Sequence, residues 1–203
     1  MKPLGINTFA VPFSTWDSVT IGVSYSLSPD KLTATKTANG YNAVRVTKGK
    51  TSGKWYGEIK VHTAGGVSGG ASGNVGACRA ECSVNALPGR DVQPGVSLQQ
   101  GGTGYSNVGF WVNSPDFGYN DDAWVGIAVD VDLNKVWFRV SPGGVWNNDG
   151  FHNPATGLGG QSLTGTTAFL LHAALSDSAS TATINVGKTA FVGAVPSGFL
   201  PWG

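Results

Sequence analysis

Apolar and polar positions alternate with period 2 along most of this chain, and the 3.6-residue spacing of an amphipathic helix is nearly absent. Trp55, Gly57, Ile59 and Val61 alternate with Tyr56, Glu58, Lys60 and His62. Val125, Ile127, Val129 and Val131 alternate with Trp124, Gly126, Ala128 and Asp130, and Val136, Phe138 and Val140 with Trp137 and Arg139. A fourth run sets Phe169, Leu171, Ala173 and Leu175 against Leu170, His172 and Ala174. Turn signals separate such runs, among them Ser28-Pro29-Asp30, Asn39-Gly40, Pro88-Gly89 and Pro142-Gly143-Gly144. The pattern predicts about ten to twelve short strands and no helix, hence an all-β, antiparallel two-sheet sandwich. No Pro/Ser linker or composition shift divides the chain, so we expect one domain over 16–203 behind a lead-in segment at 1–15.

Two stretches break the alternation. Residues 64–73 are almost entirely Gly, Ser and Ala and read as a mobile loop. Residues 141–165 form a second, longer loop that carries Trp146, Phe151 and His152. Long loops are uncommon in compact domains and are often functional.

Composition narrows the class. Glycine makes up 31 of 203 residues, about twice ordinary usage. Charged residues are only 12% of the chain and the net charge is +1, so no overall field steers phosphate or acidic lipid to it. Neither nucleic acid nor a membrane is therefore an expected partner. The apolar fraction of 40% is ample for a packed core. The opening MKPLGINTFAVPF lacks the unbroken apolar run of a signal peptide. No run approaches the ~18 residues of a membrane span. Synthesis in the cytoplasm without a membrane stage is the expectation.

The two cysteines, Cys78 and Cys82, stand in GACRAECSV. An extended chain separates them by about 13 Å, whereas a disulfide needs Cα atoms within about 7 Å. Two free, buried thiols on one strand face are expected, and no second Cys pair or neighbouring His completes a metal site.

Several strands look familiar in order. Ser52-Gly53-Lys54-Trp55-Tyr56-Gly57-Glu58-Ile59-Lys60-Val61 resembles the SGKWYFEV-type strand of SPRY domains. Asp122-Ala123-Trp124-Val125-Gly126-Ile127-Ala128-Val129-Asp130 is similar to their GDVIGVAVD strand, followed by a hairpin into Lys135-Val136-Trp137-Phe138. Ile184-Asn185-Val186-Gly187, then Phe191 and Pro196-Ser197-Gly198-Phe199, resembles the VNFG…F…P-GF close of that family. The resemblance covers about residues 16–202 and implies a concanavalin-like jelly-roll sandwich that binds without catalysis. Familiar SPRY domains follow the third of these strands with a short Asn-Gly turn. This chain has the long WNNDGFHNPATGLGG loop instead, a variant that resembles the SPRY-like domains of bacteriophage and prophage structural proteins.

Catalytic motifs are weak. Gly66-Val67-Ser68-Gly69-Gly70 matches G-x-S-x-G, but no helix follows to make a nucleophile elbow. Gly187-Lys188-Thr189 lacks the first glycine of a P-loop and reads as a turn. Asp130-Val131-Asp132-Leu133-Asn134 begins like a calcium loop, yet its sixth position is Lys135 and its twelfth Ser141, so a hairpin turn is expected. Asp116, Asn120, Asp121 and Asp122 could gather around a hard cation, though solvated loop acids are commoner. None of His62, His152 and His172 stands in a recognisable pairing with Ser, Cys or carboxylate. No enzyme, cofactor or metal is expected.

The aromatic residues divide in two. Trp16, Trp55, Phe138, Phe169 and Phe191 read as core, whereas Tyr105, Trp111, Tyr119, Trp146 and Phe151 lie in or near Gly/Asn/Asp-rich segments. Aromatic rings beside Asn147, Asn148 and Asp149 suit a sugar ring or a protein hot spot. They would equally anchor a long loop onto the sandwich. The ligand-binding candidates are Trp146, Asn147, Asn148, Asp149 and Phe151, with Tyr105 and Tyr119 as the alternative location. The leading expectation is a bacteriophage virion component (capsid decoration, fibre or tail protein) that attaches to virion protein or host surface, with room for a homo-oligomer. A carbohydrate-binding lectin and a cellular SPRY-type adaptor for protein partners are the alternatives.

Overall fold

The computed structural model of the chain describes residues 13–64, 73–90, 93–106, 109–113 and 117–203, with residues 109–113 described by their backbone alone. The lead-in up to residue 12, the G-x-S-x-G stretch and Asp116 lie outside the described residues. Two antiparallel sheets form. In spatial order the first contains β1 (Trp16–Ile21), β4 (Asn42–Val46), β13 (Phe169–Leu175), β6 (Gly73–Arg79), β7 (Gly95–Gln99), β8 (Thr103–Ser106) and β9 (Gly109–Asn113). The second runs through β12 (Gln161–Ser162), β11 (Lys135–Val140), β10 (Trp124–Asp130), β5 (Lys54–His62), β14 (Thr181–Asn185), β3 (Thr33–Lys36) and β2 (Tyr25–Leu27). Short β15 (Leu200–Pro201) adds to the N-terminal end of β5, the one parallel pairing among the described strands. The expected two-sheet sandwich is the observed one, divided into more and shorter strands than the alternation alone suggested.

The core follows from the alternation. Ile59 and Val61 of β5 and Val125, Ile127 and Val129 of β10 face inward, against Leu171 and Ala173 of β13 and Val75 and Ala77 of β6. Each such side chain contributes about 1.5–3 kcal/mol on leaving water. The sheets meet so closely that a Cβ at Gly57 would stand 2.6 Å from Leu171 Cδ1. Two indoles staple the layers: Trp16 Nε1 donates to Ala182 O at 3.1 Å, and Trp202 Nε1 to Lys48 O at 2.9 Å.

Both outer faces are also covered. On the second sheet Tyr56, Ala128, Trp137 and Phe199 form a separate buried cluster with Trp146 and Phe191 packed on it. On the first, Ala43, Ala174 and Leu87 form another, against which Tyr105 packs. Consequently every residue of β6 and of β13 is buried, His172 included.

The cysteine geometry departs from expectation. Both thiols are free and buried. However, β6 ends at Arg79 and the chain turns, with Cys82 N donating to Arg79 O at 3.0 Å. The two residues therefore do not share an extended strand, and the distance argument against a bridge fails.

Candidate functional site

The 141–165 segment is a built structure and not an open loop. After β11, Gly144 N donates to Val140 O at 2.9 Å and closes a turn. One 3-10 turn follows over Trp146–Asn148 and a second over Pro154–Thr156, before β12 rejoins β11 through the Val136↔Gln161 and Lys135↔Ser162 pairs. Asn147 and Asn148 adopt left-handed φ of 50° and 55°, a region Asn enters more readily than most residues.

Side chains pin this segment to the outer face of the second sheet. Buried Asn147 bridges it: Oδ1 accepts from Phe138 N at 2.8 Å, and Nδ2 donates to Gly159 O at 2.9 Å. Trp137 Nε1 donates to Leu158 O at 2.7 Å, and Lys135 Nζ to Gly157 O at 2.8 Å. Asp149 Oδ1 accepts from Phe151 N at 2.9 Å, while its Oδ2 lies 3.5 Å from His152 Nε2. The half-buried ring of Trp146 meets Tyr56 edge-on at 6.4 Å, and the Arg139 guanidinium lies 4.4 Å from its centroid. Arg139 in turn donates to Ala194 O at 2.6 Å.

Among the side chains the segment leaves outside are large apolar ones. Phe151 is 87% exposed, Leu158 59% and Val145 50%, and Leu133 at the β10–β11 hairpin tip is 52% exposed. Leu133 Cδ1 reaches to the backbone of Gly157, so the hairpin tip and the loop adjoin. Beside Val145 lies a cavity of about 240 Å³ lined by Phe117, Gly118, Val140, Gly144, Val145 and Asn148. It is smaller than the roughly 300–1,000 Å³ of most small-molecule sites and mainly apolar, which suits an inserted side chain.

The sequence-predicted residues thus separate. Asn148, Asp149 and Phe151 face outward or partly so, whereas Asn147 and Trp146 hold the loop in place. Tyr119 is buried and its hydroxyl donates to Gly73 O at 2.9 Å, with burial pushing that hydroxyl's pKa well up. Tyr105 packs on the outer face of the other sheet, its hydroxyl 3.4 Å from Gln99 Oε1. The structure does not bring either tyrosine to Phe151.

Two of the three histidines, His62 and His152, find carboxylates that their sequence positions did not reveal. His62 Nδ1 lies 3.0 Å from Asp121 Oδ2 and 3.1 Å from Asp122 Oδ2. These three side chains are close enough to share an ion, with ligand atoms within 4.8 Å of one another. Their charges already have partners: Lys60 Nζ stands 3.6 Å from Asp122, and Thr63 donates twice to Asp121. Burial works against ionisation of Asp121, but the Thr63 donors and His62 hold its pKa below the ordinary value. The arrangement is complete as an ion-pair network. The Asp130–Asn134 stretch is the expected hairpin turn, with Asp130 Oδ1 accepting from Leu133 N at 2.9 Å. Among the described residues no hydroxyl or thiol is hydrogen-bonded to a histidine ring, and no helix is long and apolar enough to cross a membrane.

An all-β sandwich with a braced, apolar-tipped loop after β11 defines the class, and its fold is that of SPRY domains. The crystal structure of the SPRY domain of human HERC1 is similar to it with TM-score 0.61 and 13% identity, over 86% of this chain and 99% of that one. The TRIM65 PSpry domain gives TM-score 0.57 and 13% identity, over 85% of this chain and 92% of that one. Stonustoxin gives 0.58 and 12%, over 85% of this chain and 27% of the toxin chain. At these identities the likeness is one of fold. By sequence, no family model and no curated protein matches the chain.

Proposed function

We propose that this chain is a non-enzymatic docking module that takes a protein partner on the surface formed by the 145–158 loop and the Leu133 hairpin tip. Phe151 is the central anchor, Val145, Leu158 and Leu133 supply the apolar surround, and Asn148 and Asp149 are the polar contacts. The carrying observation is the 87% exposure of Phe151 on a loop whose backbone is already hydrogen-bonded in place. Water-exposed apolar side chains on a rigid frame bind with little ordering cost. A protein is favoured over a glycan because the Trp146 ring is occupied by Arg139 and Tyr56, which leaves no second free ring beside Phe151 among the described side chains for a sugar. The finer proposal is a bacteriophage particle component, supported by the resemblance of the long loop to that of phage SPRY-like domains.

A photo-crosslinking amino acid at position 151 tests the surface, with Val19, 90% exposed on β1, as control. A protein adduct at 151 and none at 19 is expected, and Phe151→Ala should weaken that complex by about 30-fold, the effect of a ~2 kcal/mol hot spot. Adducts at 19 alone, or affinity unchanged in Phe151→Ala, overturn the surface. Binding on a glycan array that Phe151→Ala abolishes would replace the protein partner by a sugar. Mass spectrometry of purified particles tests the particle role separately, and absence of the chain from them removes that role alone.

A further inference from the structure

Cys78 and Cys82 form a constellation that the docking surface does not use. β6 ends one residue after Cys78, and the Cys82 N–H closes a turn onto Arg79 O at 3.0 Å. The ends of this four-residue turn, Arg79 and Cys82, lie within about 7 Å, and Cys78 and Cys82 both belong to the core cluster between the sheets. Ala80 N donates to Ala168 O at 3.0 Å and to Thr167 Oγ1 at 3.1 Å, which fixes the reversal across the sheet. Arg45 clamps it from the other side, its Nη1 donating to Ala80 O at 2.7 Å and to Cys82 O at 3.0 Å. The Cys82 thiol donates to Ser83 O at 3.7 Å, and each thiol acts on the ionisation of the other. Both residues are almost wholly buried, and neither is bridged.

We propose that Cys78 and Cys82 are a redox-active dithiol that closes to an intramolecular disulfide when a low-molecular-weight disulfide, such as oxidised glutathione, is supplied. Cys82 is the attacking sulfur and Cys78 the resolving one. The neighbouring Cys78 thiol, aided by the Arg45 charge, outweighs burial and holds the Cys82 thiol below its ordinary pKa, whereas Cys78 stands well above it. A lowered thiol pKa raises the thiolate fraction, and the thiolate is the nucleophile. In the first step the Cys82 thiolate attacks one glutathione sulfur, forms a mixed disulfide and expels a glutathione thiolate. In the second, Cys78 gives up its proton and attacks Cys82 Sγ, expelling the second glutathione. Two protein thiols are oxidised to one disulfide, and one oxidised glutathione is reduced to two thiols. Because both thiols are covered, access of the glutathione to Cys82 limits the rate, and that rate reports local opening of the segments that cover it.

The test is mass spectrometry of the folded, native chain after incubation with oxidised glutathione. The expected result is loss of about 2 Da, reversed by dithiothreitol, without a stable glutathione adduct. Cys78→Ser should instead accumulate the mixed disulfide on Cys82, and Cys82→Ser should react about tenfold more slowly or not at all. A wild-type chain that stays fully reduced while folded overturns the proposal. So does a stable mixed disulfide on the wild type, because the second thiol would then be out of reach. The wild-type measurement stands even where a serine variant fails to fold.

Discussion

Asn147 Oδ1 accepts a 2.8 Å hydrogen bond from the backbone N–H of Phe138, in the middle of β11. That N–H points out of the sheet's edge where β12 is too short to pair with it, and the asparagine takes the missing strand's place. With its amide nitrogen on Gly159 O, one side chain joins three segments of the candidate site.

Asn147→Ala is expected to destabilise the protein by about 1–3 kcal/mol, because a buried donor and acceptor lose their partners. Asn147→Gly separates the causes. Glycine accepts the left-handed φ of 50° without strain but makes neither bond. If denaturant midpoints show the glycine variant as stable as wild type, the bridge contributes nothing and only the backbone conformation mattered.

A second buried acceptor holds another segment over the same face. Glu58 is fully buried on β5, where Oε1 accepts from Tyr56 Oη at 2.8 Å and Gly193 N at 2.7 Å, and Oε2 from Val192 N at 2.9 Å. Glu58→Gln places an NH₂ group against donors and leaves at least one unpaired, a cost of about 1–3 kcal/mol. Hydrogen exchange at Val192 and Gly193 should accelerate in that variant. Unchanged protection at both amides would show that the 188–199 segment is held by Phe199 and Phe191 packing instead.

The sequence made one side of this architecture visible and hid the other. Ile59, Val61, Val125, Ile127 and Val129 were legible as core because the period-2 pattern reports which face of a strand is apolar. Tyr56 and Glu58 alternate with them and read as the polar side, yet they are equally buried, because a segment more than 130 residues away folds over them. Pairing of that range leaves no local periodicity. The His62 contact with Asp121 and Asp122, about 60 residues apart, was hidden for the same reason. The turn at Cys82 was missed differently. Arg79, Ala80 and Glu81 include no turn-forming residue, and the reversal is held by Ala168, just before β13, and by Arg45 of β4. At the candidate site the sequence identified the loop and its exposed Phe151. It did not distinguish the side chains that brace the loop from those the loop presents.

His172 should set the acid stability of the fold. It lies wholly buried on β13, opposite Arg45, and its ring packs against Gly76, where a Cβ would stand 2.9 Å from Cε1. Neither ring nitrogen has a hydrogen-bond partner. Burial, with the Arg45 charge adding, lowers its pKa from 6.5 to about 3. The folded protein therefore binds the proton more weakly than the unfolded chain, and acid favours unfolding. The contribution is fully present above about pH 6.5 and is lost as pH falls toward about 3, at roughly 1.4 kcal/mol per pH unit. The carboxyls with lowered pKa, Asp30 and Asp121, act in the same direction, but only below about pH 4. The window from pH 6.5 to 4.5 thus lies above the carboxyl range, and about 2 kcal/mol should disappear across it as the unfolded His172 imidazole takes up its proton. His172→Gln keeps a neutral polar side chain and removes the titration, so its unfolding free energy should stay nearly flat over that window. Chemical denaturation of both proteins at pH 6.5, 5.5 and 4.5 decides the matter, and parallel curves would show that His172 is not the group that charges on unfolding.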